Sequence, residues 1–194
     1  FQLESYGLEW LHHQVVATHP LNDGNGATLY RDLGLTAAGL GRDSASYRKL
    51  LNALTTDWPE FKEYSLGPLL RVPSNFFATV RSGVLGILPA TTLTNKLFKT
   101  PEAQALFAGC AAHASLPVNR FFTSSFGNIF LTLAHTTGWP IAKGGSQSLV
   151  NAMQLALEDH GGQIVTNHRI GQLADLPSSK VRILDVTSAA AGKL

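Results

Sequence analysis

The chain has little charge, almost no sulfur chemistry and no long apolar run. Only 14% of its 194 residues are Asp, Glu, Lys or Arg, where an ordinary soluble domain carries about 25%. The single cysteine, Cys110, excludes an internal disulfide framework and a CxxC metal or redox site. Fifteen Lys and Arg against thirteen Asp and Glu leave a net charge of +2, which argues against the basic surface of a nucleic-acid binder. The longest apolar candidate, 121–133, is broken by Thr123, Ser124, Ser125 and Asn128 and falls short of the ~20 residues of a membrane span. What is present is a 44% hydrophobic fraction and 18 glycines, the composition of a chain that folds. Its length suits one large domain or two small ones.

Scarce charge has two explanations. Either the surface is built from Ser, Thr, Asn and Gly, or much of it is covered in the intact protein. The chain opens at Phe1 in an apolar pattern and stops at Ala189-Ala190-Ala191-Gly192-Lys193-Leu194. The expectation is therefore an internal piece of a larger protein, with faces shaped for segments on either side. Targeting signals of the parent would lie outside it, and its location would be cytoplasmic or membrane-peripheral.

The first third reads as a β-hairpin. Gln14 to Ala17 is a β-branched run, Asn22-Asp23-Gly24-Asn25-Gly26 is turn chemistry, and Ala27 to Arg31 returns. Helices follow. Asp43 caps one whose apolar residues are Tyr47, Leu50, Leu51 and Leu54, with a break expected at Trp58-Pro59. Phe76, Phe77, Val80, Val84, Ile87 and Leu88 recur at helical spacing. Thr100-Pro101-Glu102 opens another helix with the stripe Ala103, Leu106, Phe107 and Cys110. Pro117 is expected to open the next, with Phe122, Phe126, Ile129, Phe130 and Leu133 on one face. Gly144-Gly145 precede Ser146 as N-cap of a helix carrying Leu149, Val150, Met153 and Leu157, which Gly161 ends. Gln163–Thr166, Arg169–Leu173 and Val181–Val186 read as short strands. The fold class is α+β: a mainly helical part over 1–138 with a small hairpin, then a helix-and-strand part over 139–194.

Several constellations are weak as sites. Gly24-Asn25-Gly26 lacks the third glycine of a dinucleotide fingerprint, and the acids of a calcium loop are missing. His12, His13 and His19 have no Cys or acid to complete a metal set, so polar or hydrogen-bonded histidines are expected and no metal. Ser124, Ser125, Ser146 and Cys110 stand outside any GxSxG, and Cys110 lies on an apolar stripe as a core thiol. Asp23, Asp185, His113 and His135 are acid/base types that spacing cannot pair; both histidines fall near helix C-termini, where they complement the dipole. The strongest local signal is Gly138 to Ser146. It is either a tight turn packing strand to helix or a place where helix N–H groups meet an anion or cofactor.

Gly138-Trp139-Pro140-Ile141-Ala142-Lys143-Gly144-Gly145-Ser146-Gln147-Ser148-Leu149, followed by Ala152, Leu155, Leu157, Gly161-Gly162 and Ile164-Val165-Thr166, resembles the middle of phytoene dehydrogenase-like FAD-dependent oxidoreductases, within the amine-oxidase/carotenoid-desaturase superfamily. Gly7-Leu8-Glu9-Trp10-Leu11, His19-Pro20-Leu21-Asn22-Asp23-Gly24 and the 107–114 segment are similar too. The resemblance spans nearly the whole chain and rests on order and spacing.

The resemblance implies a parent that transfers hydride between a flavin and an apolar carbon skeleton, desaturating or isomerising it. In it 1–138 belongs to a substrate domain and 139–194 to a remnant of the flavin domain. Gly144 and Gly145 would approach the cofactor, and Ile170, in Ile170-Gly171-Gln172-Leu173, would set its backbone against the adenine; the plain alternative for Ile170 is a core strand residue. Phe76, Phe77, Phe121, Phe122, Phe126 and Phe130 would line a tunnel, or form an ordinary helical core. No catalytic acid or base is nameable. The family's glycine-rich fingerprints near both ends are missing, so FAD is expected in the parent and not on this chain alone. The partners expected are the flanking segments, an apolar small molecule and, through an unpaired strand edge, a second copy. The competing function is a non-catalytic helical module with an apolar groove.

Overall fold

The computed structural model describes residues 1–65 and 83–194. The chain divides into two compact units, Trp10–Lys143 on one side and Phe1–Glu9 with Gly144–Leu194 on the other. The architecture is α+β, mostly helical with two small antiparallel strand pairs.

In the larger unit, β2 (Val15–Pro20) and β3 (Gly26–Tyr30) form the expected hairpin, with Thr18 opposite Thr28 and a bulge between Val15 and Ala17. The turn works as its residues dictate. Gly24 takes φ +83°, and the Asp23 carboxylate accepts both the Asn25 backbone N–H and its side-chain amide at 3.0 Å. A second pair joins β1 (Trp10–Leu11) to β4 (Ile141–Ala142).

Among the described residues the helices of this unit include α1 (Leu33–Gly39), α2 (Ser44–Ser65), α3 (Ala90–Leu97), α4 (Pro101–Ala111) and α5 (Thr123–His135); residues 83–87 are also helical. Leu29, Leu51, Leu93, Leu106, Phe107 and Leu131 bury into one core. The α4 start follows its sequence, with Pro101 first and the Thr100 hydroxyl accepting the Ala103 N–H.

The structure corrects four expectations here. Asp43 precedes α2, but its buried carboxylate turns away and holds Lys99 and the α4 cap residue Thr100. It accepts the Lys99 N–H at 2.9 Å, the Thr100 N–H at 2.7 Å and the Thr100 hydroxyl at 2.6 Å. Pro59 does not end α2, which runs through it to Ser65. Proline removes one helical hydrogen bond, and the helix continues past it beside the buried Trp58. Pro117 does not open α5. Residues 117–122 form turns closed by the Arg120 N–H on the Pro117 carbonyl, and the helix starts at Thr123.

The fourth correction concerns which face of α5 is buried. Phe122 and Phe126 face outward, at 61% and 38% exposure, while Thr123, Ser124, Gly127, Asn128, Leu131, Thr132 and Ala134 pack inward. Small residues win because α4 comes close: a Cβ on Gly127 would sit 2.6 Å from the Phe107 ring. The bulky stripe is apolar but cannot fit that gap.

In the smaller unit, α6 (Ser146–Asp159) packs with the 3-10 turn Leu3–Tyr6, and the Tyr6 hydroxyl donates to the Asp159 carboxylate at 2.8 Å. A short α7 (Ser188–Ala191) follows. Gly161, at φ +79°, ends α6 as its sequence implies. Ser146 is the first helical residue, not the cap; Gly145 holds the cap position without a side chain to bond. The segments 163–166, 169–173 and 181–186 carry no strand ladder. β-Propensity needs a partner whose N–H and C=O groups meet it, and no segment pairs with them among the described residues. Of this unit's apolar side chains only Leu8, Ala152 and Ala156 are buried.

Candidate functional site

At the start of the smaller unit Gly144 and Gly145 make a tight turn into α6. Gly144 lies at φ +83° and Gly145 at φ +89°, a region that a side chain disfavours. A Cβ on Gly144 would also meet the Ser148 hydroxyl at 2.7 Å. Alanine at either position is expected to destabilise this unit by about 1–2 kcal/mol, read as an earlier loss of α6 helicity on heating.

The expected stripe of α6 does not enter a core. Val150, Met153 and Leu157 are each about half exposed, and with Leu3, Tyr6 and Ile164 they line an open apolar cavity of about 1090 Å³. Ile170 is half-buried and sits in irregular chain rather than in a strand.

The larger unit carries most of the aromatic residues. Phe121 is 64% exposed, and with Phe122 and Phe126 it makes apolar surface. Phe130 is instead tied into a stack: the His113 ring lies on it at 4.4 Å, Trp139 meets it edge-on at 5.6 Å, and the Trp139 indole N–H donates to the Phe130 carbonyl at 3.3 Å. Phe76 and Phe77, with Val80, lie outside the described residues. His113 thus works as a stacking ring after α4.

His135 ends α5 as expected, yet its role comes from a contact that spacing hid. Its Nδ1 lies 3.2 Å from the Arg31 carbonyl, which only accepts, so Nδ1 carries the proton. Nε2 is then an acceptor, and the buried Tyr47 hydroxyl donates to it at 2.7 Å. His135 also borders a cavity of about 470 Å³ lined by Gln14, Tyr30, Arg31, Asp32 and Leu35. Burial raises the Tyr47 phenol, and the Cys110 thiol is pushed up to about 12 by burial, so neither is an activated nucleophile. Burial holds the His135 imidazole below its ordinary value, against the opposing Arg31 carbonyl, Asp32 charge and Tyr30 carbonyl.

His12 and His13 are exposed, whereas His19 packs its ring into the space over Gly109, with Nδ1 buried and unpartnered among the described residues. Burial, then the neighbouring His113, lowers its pKa. Among the described residues no group of three or more His, Cys, Asp and Glu is placed to hold a metal ion. Nor, among them, is any helix long and apolar enough to cross a membrane.

Two lowered histidines set a pH dependence. The unfolded chain takes protons near pH 6.5, while folded His19 and His135 resist them to lower pH. The stability they confer is present above about 6.5 and is lost as pH falls through the folded values. The melting temperature should therefore drop between pH 7.5 and 5. His135→Gln, which keeps an acceptor for Tyr47, should flatten that slope. Tyr47→Phe should lower stability by roughly 1–3 kcal/mol at neutral pH, because it leaves buried Nε2 unpaired.

No family model, curated protein or solved structure matches this chain.

A flavin dinucleotide needs a glycine-rich turn between strand and helix to take its pyrophosphate. Gly24-Asn25-Gly26 closes a hairpin between two strands instead. Gly144-Gly145 opens a helix, but the strand-forming segments beyond it, Ile170 included, are not assembled into a sheet. The residues present do not by themselves fit FAD. The buried Tyr47–His135 pair was invisible in the sequence because 88 residues separate its members.

Proposed function

We propose that this chain is part of an FAD-dependent oxidoreductase of the phytoene dehydrogenase-like kind. In this reading Trp10–Lys143 belongs to a substrate domain for an apolar molecule, and the smaller unit is a portion of the flavin domain. The observation that carries it is the exposure of strand-forming residues in the smaller unit: Val165 at 74%, Val181 at 73% and Ile183 at 89%. Val and Ile in runs are selected to pack in a sheet, and a unit that buries only Leu8, Ala152 and Ala156 has too little core to be stable by itself. Further sheet strands would cover these side chains, and the Gly138–Leu149 stretch has the order expected at the return into a flavin domain. The exposed Phe121, Phe122 and Phe126 suit an apolar substrate.

The test is flavin content. The complete gene product that carries this segment should purify yellow, with close to one FAD per chain, whereas residues 1–194 alone should bind added FAD weakly or not at all. A complete product that neither carries nor takes up flavin would overturn the proposal. The open cavity of about 1090 Å³ favours a second reading, a non-catalytic module whose groove takes an apolar ligand. A colourless complete product that binds a fluorescent fatty acid stoichiometrically would favour it. Light scattering of 1–194 separates the flanking-strand explanation from self-pairing: a stable dimer would mean that the exposed strands find a second copy.

A further inference from the structure

Three side-chain atoms of α5 stand out. Ser124 is fully buried and Asn128 is 4% exposed, yet Ser124 Oγ, Asn128 Nδ2 and Asn128 Oδ1 have no hydrogen-bond partner among the described residues. A lone unpaired buried polar group costs about 1–3 kcal/mol, and native structures pair the large majority of them. Positions four apart share one face of a helix, so all three atoms belong to one stripe.

A buried helical serine commonly turns back to the carbonyl four residues earlier, but that carbonyl, Arg120, accepts the Thr123 hydroxyl at 2.7 Å. Thr132 donates to the Asn128 carbonyl at 2.6 Å.

We propose that Ser124 and Asn128 form a buried binding site for one neutral hydroxyl group, supplied either by a resident water or by the alcohol end of a bound molecule. The chemistry selects a hydroxyl. Its oxygen accepts from Asn128 Nδ2–H and from Ser124 Oγ–H, and its proton goes to Asn128 Oδ1, so all three orphaned atoms are paired at once. A carboxylate would leave Oδ1 without a donor, an ammonium would leave Nδ2 without an acceptor, and either would carry a charge into a buried site. An apolar guest would satisfy none of them. Three partners match what a buried water usually makes. This inference stands on α5 alone and is independent of the flavin proposal.

A crystal structure of the protein at a resolution that shows ordered water tests it. The expected result is an oxygen atom within about 3.2 Å of both Ser124 Oγ and the Asn128 amide. An isolated oxygen identifies a resident water; an oxygen continuous with carbon density identifies a bound alcohol; either supports the site. Asn128 turned to a protein carbonyl, or Ser124 bonded directly to Asn128, overturns it, as does a site without density. Ser124→Ala, a mild change, is expected to displace or remove that oxygen while α5 stays in place. An oxygen unmoved in this variant would exclude Ser124 from the site.

Discussion

Replacing Asp43 by alanine is expected to destabilise the Trp10–Lys143 unit by about 3 kcal/mol, because a buried charge-assisted network loses the carboxylate on which it converges. The Lys99 N–H, the Thr100 N–H and the Thr100 hydroxyl all point at this one carboxylate. Their loss also loosens the start of α4, since Thr100 caps that helix. Trp10, Trp58 and Trp139 all lie in the larger unit, so denaturant unfolding followed by tryptophan fluorescence reads it directly. Asp43→Asn keeps one acceptor and should lose about half as much. Burial alone would raise the Asp43 carboxyl, but the Thr100 hydroxyl and N–H, the Lys99 N–H and the Arg42 charge outweigh it and hold it below the ordinary carboxylate value. The stability it confers is therefore full above about pH 4 and disappears as pH falls through the lower folded value. In Asp43→Asn that acid limb should be missing; an unchanged acid limb would rule out this role for Asp43.

The second large effect is steric and sits between α4 and α5. Gly127 lets the Phe107 ring lie against the α5 backbone, with ring atoms 2.6 and 2.8 Å from where a Cβ would be. Phe107 is 1% exposed and backed by Phe98 at 6.3 Å, so the ring has little room to retreat. Gly127→Ala is expected to lose roughly 1–3 kcal/mol to overpacking, in spite of a gain of about 1 kcal/mol in helix propensity. Phe107→Ala should lose roughly 3–5 kcal/mol through the cavity it leaves. Phe107→Leu makes space for the new methyl, so the Gly127→Ala, Phe107→Leu pair should be less damaging than the sum of the two single changes. Strict additivity in chemical denaturation would mean that the two residues do not share this gap.

Sequence reading succeeded where structure is local. The hairpin turn at 22–26, the Thr100-Pro101 opening of α4 and the Gly161 stop of α6 each depend on a few neighbouring residues, and each formed where its residues point. It failed where partners are distant. The α5 periodicity identified a helix but chose the wrong inner face, because the close approach of Phe107 selects small residues and periodicity carries no information on the neighbour. Asp43 was legible as a cap of its own helix, but not as the anchor of the cap residue Thr100, 57 residues away.

The candidate site divides in the same manner. Gly144 and Gly145 stood out in the sequence because only glycine takes up such backbone angles at no steric cost, and the structure places both at positive φ. Tyr47 and His135 had no signal, since a hydrogen bond between two helices is written in neither helix. Composition and local pattern by themselves determined that this chain folds, is mostly helical and turns where Gly, Asn and Asp cluster. Tertiary structure alone decided which faces are buried, which polar atoms find partners and which strand-forming segments stay unpaired. The reason is that turns and caps are settled by forces acting within a few residues, whereas burial and pairing depend on what the rest of the chain brings alongside.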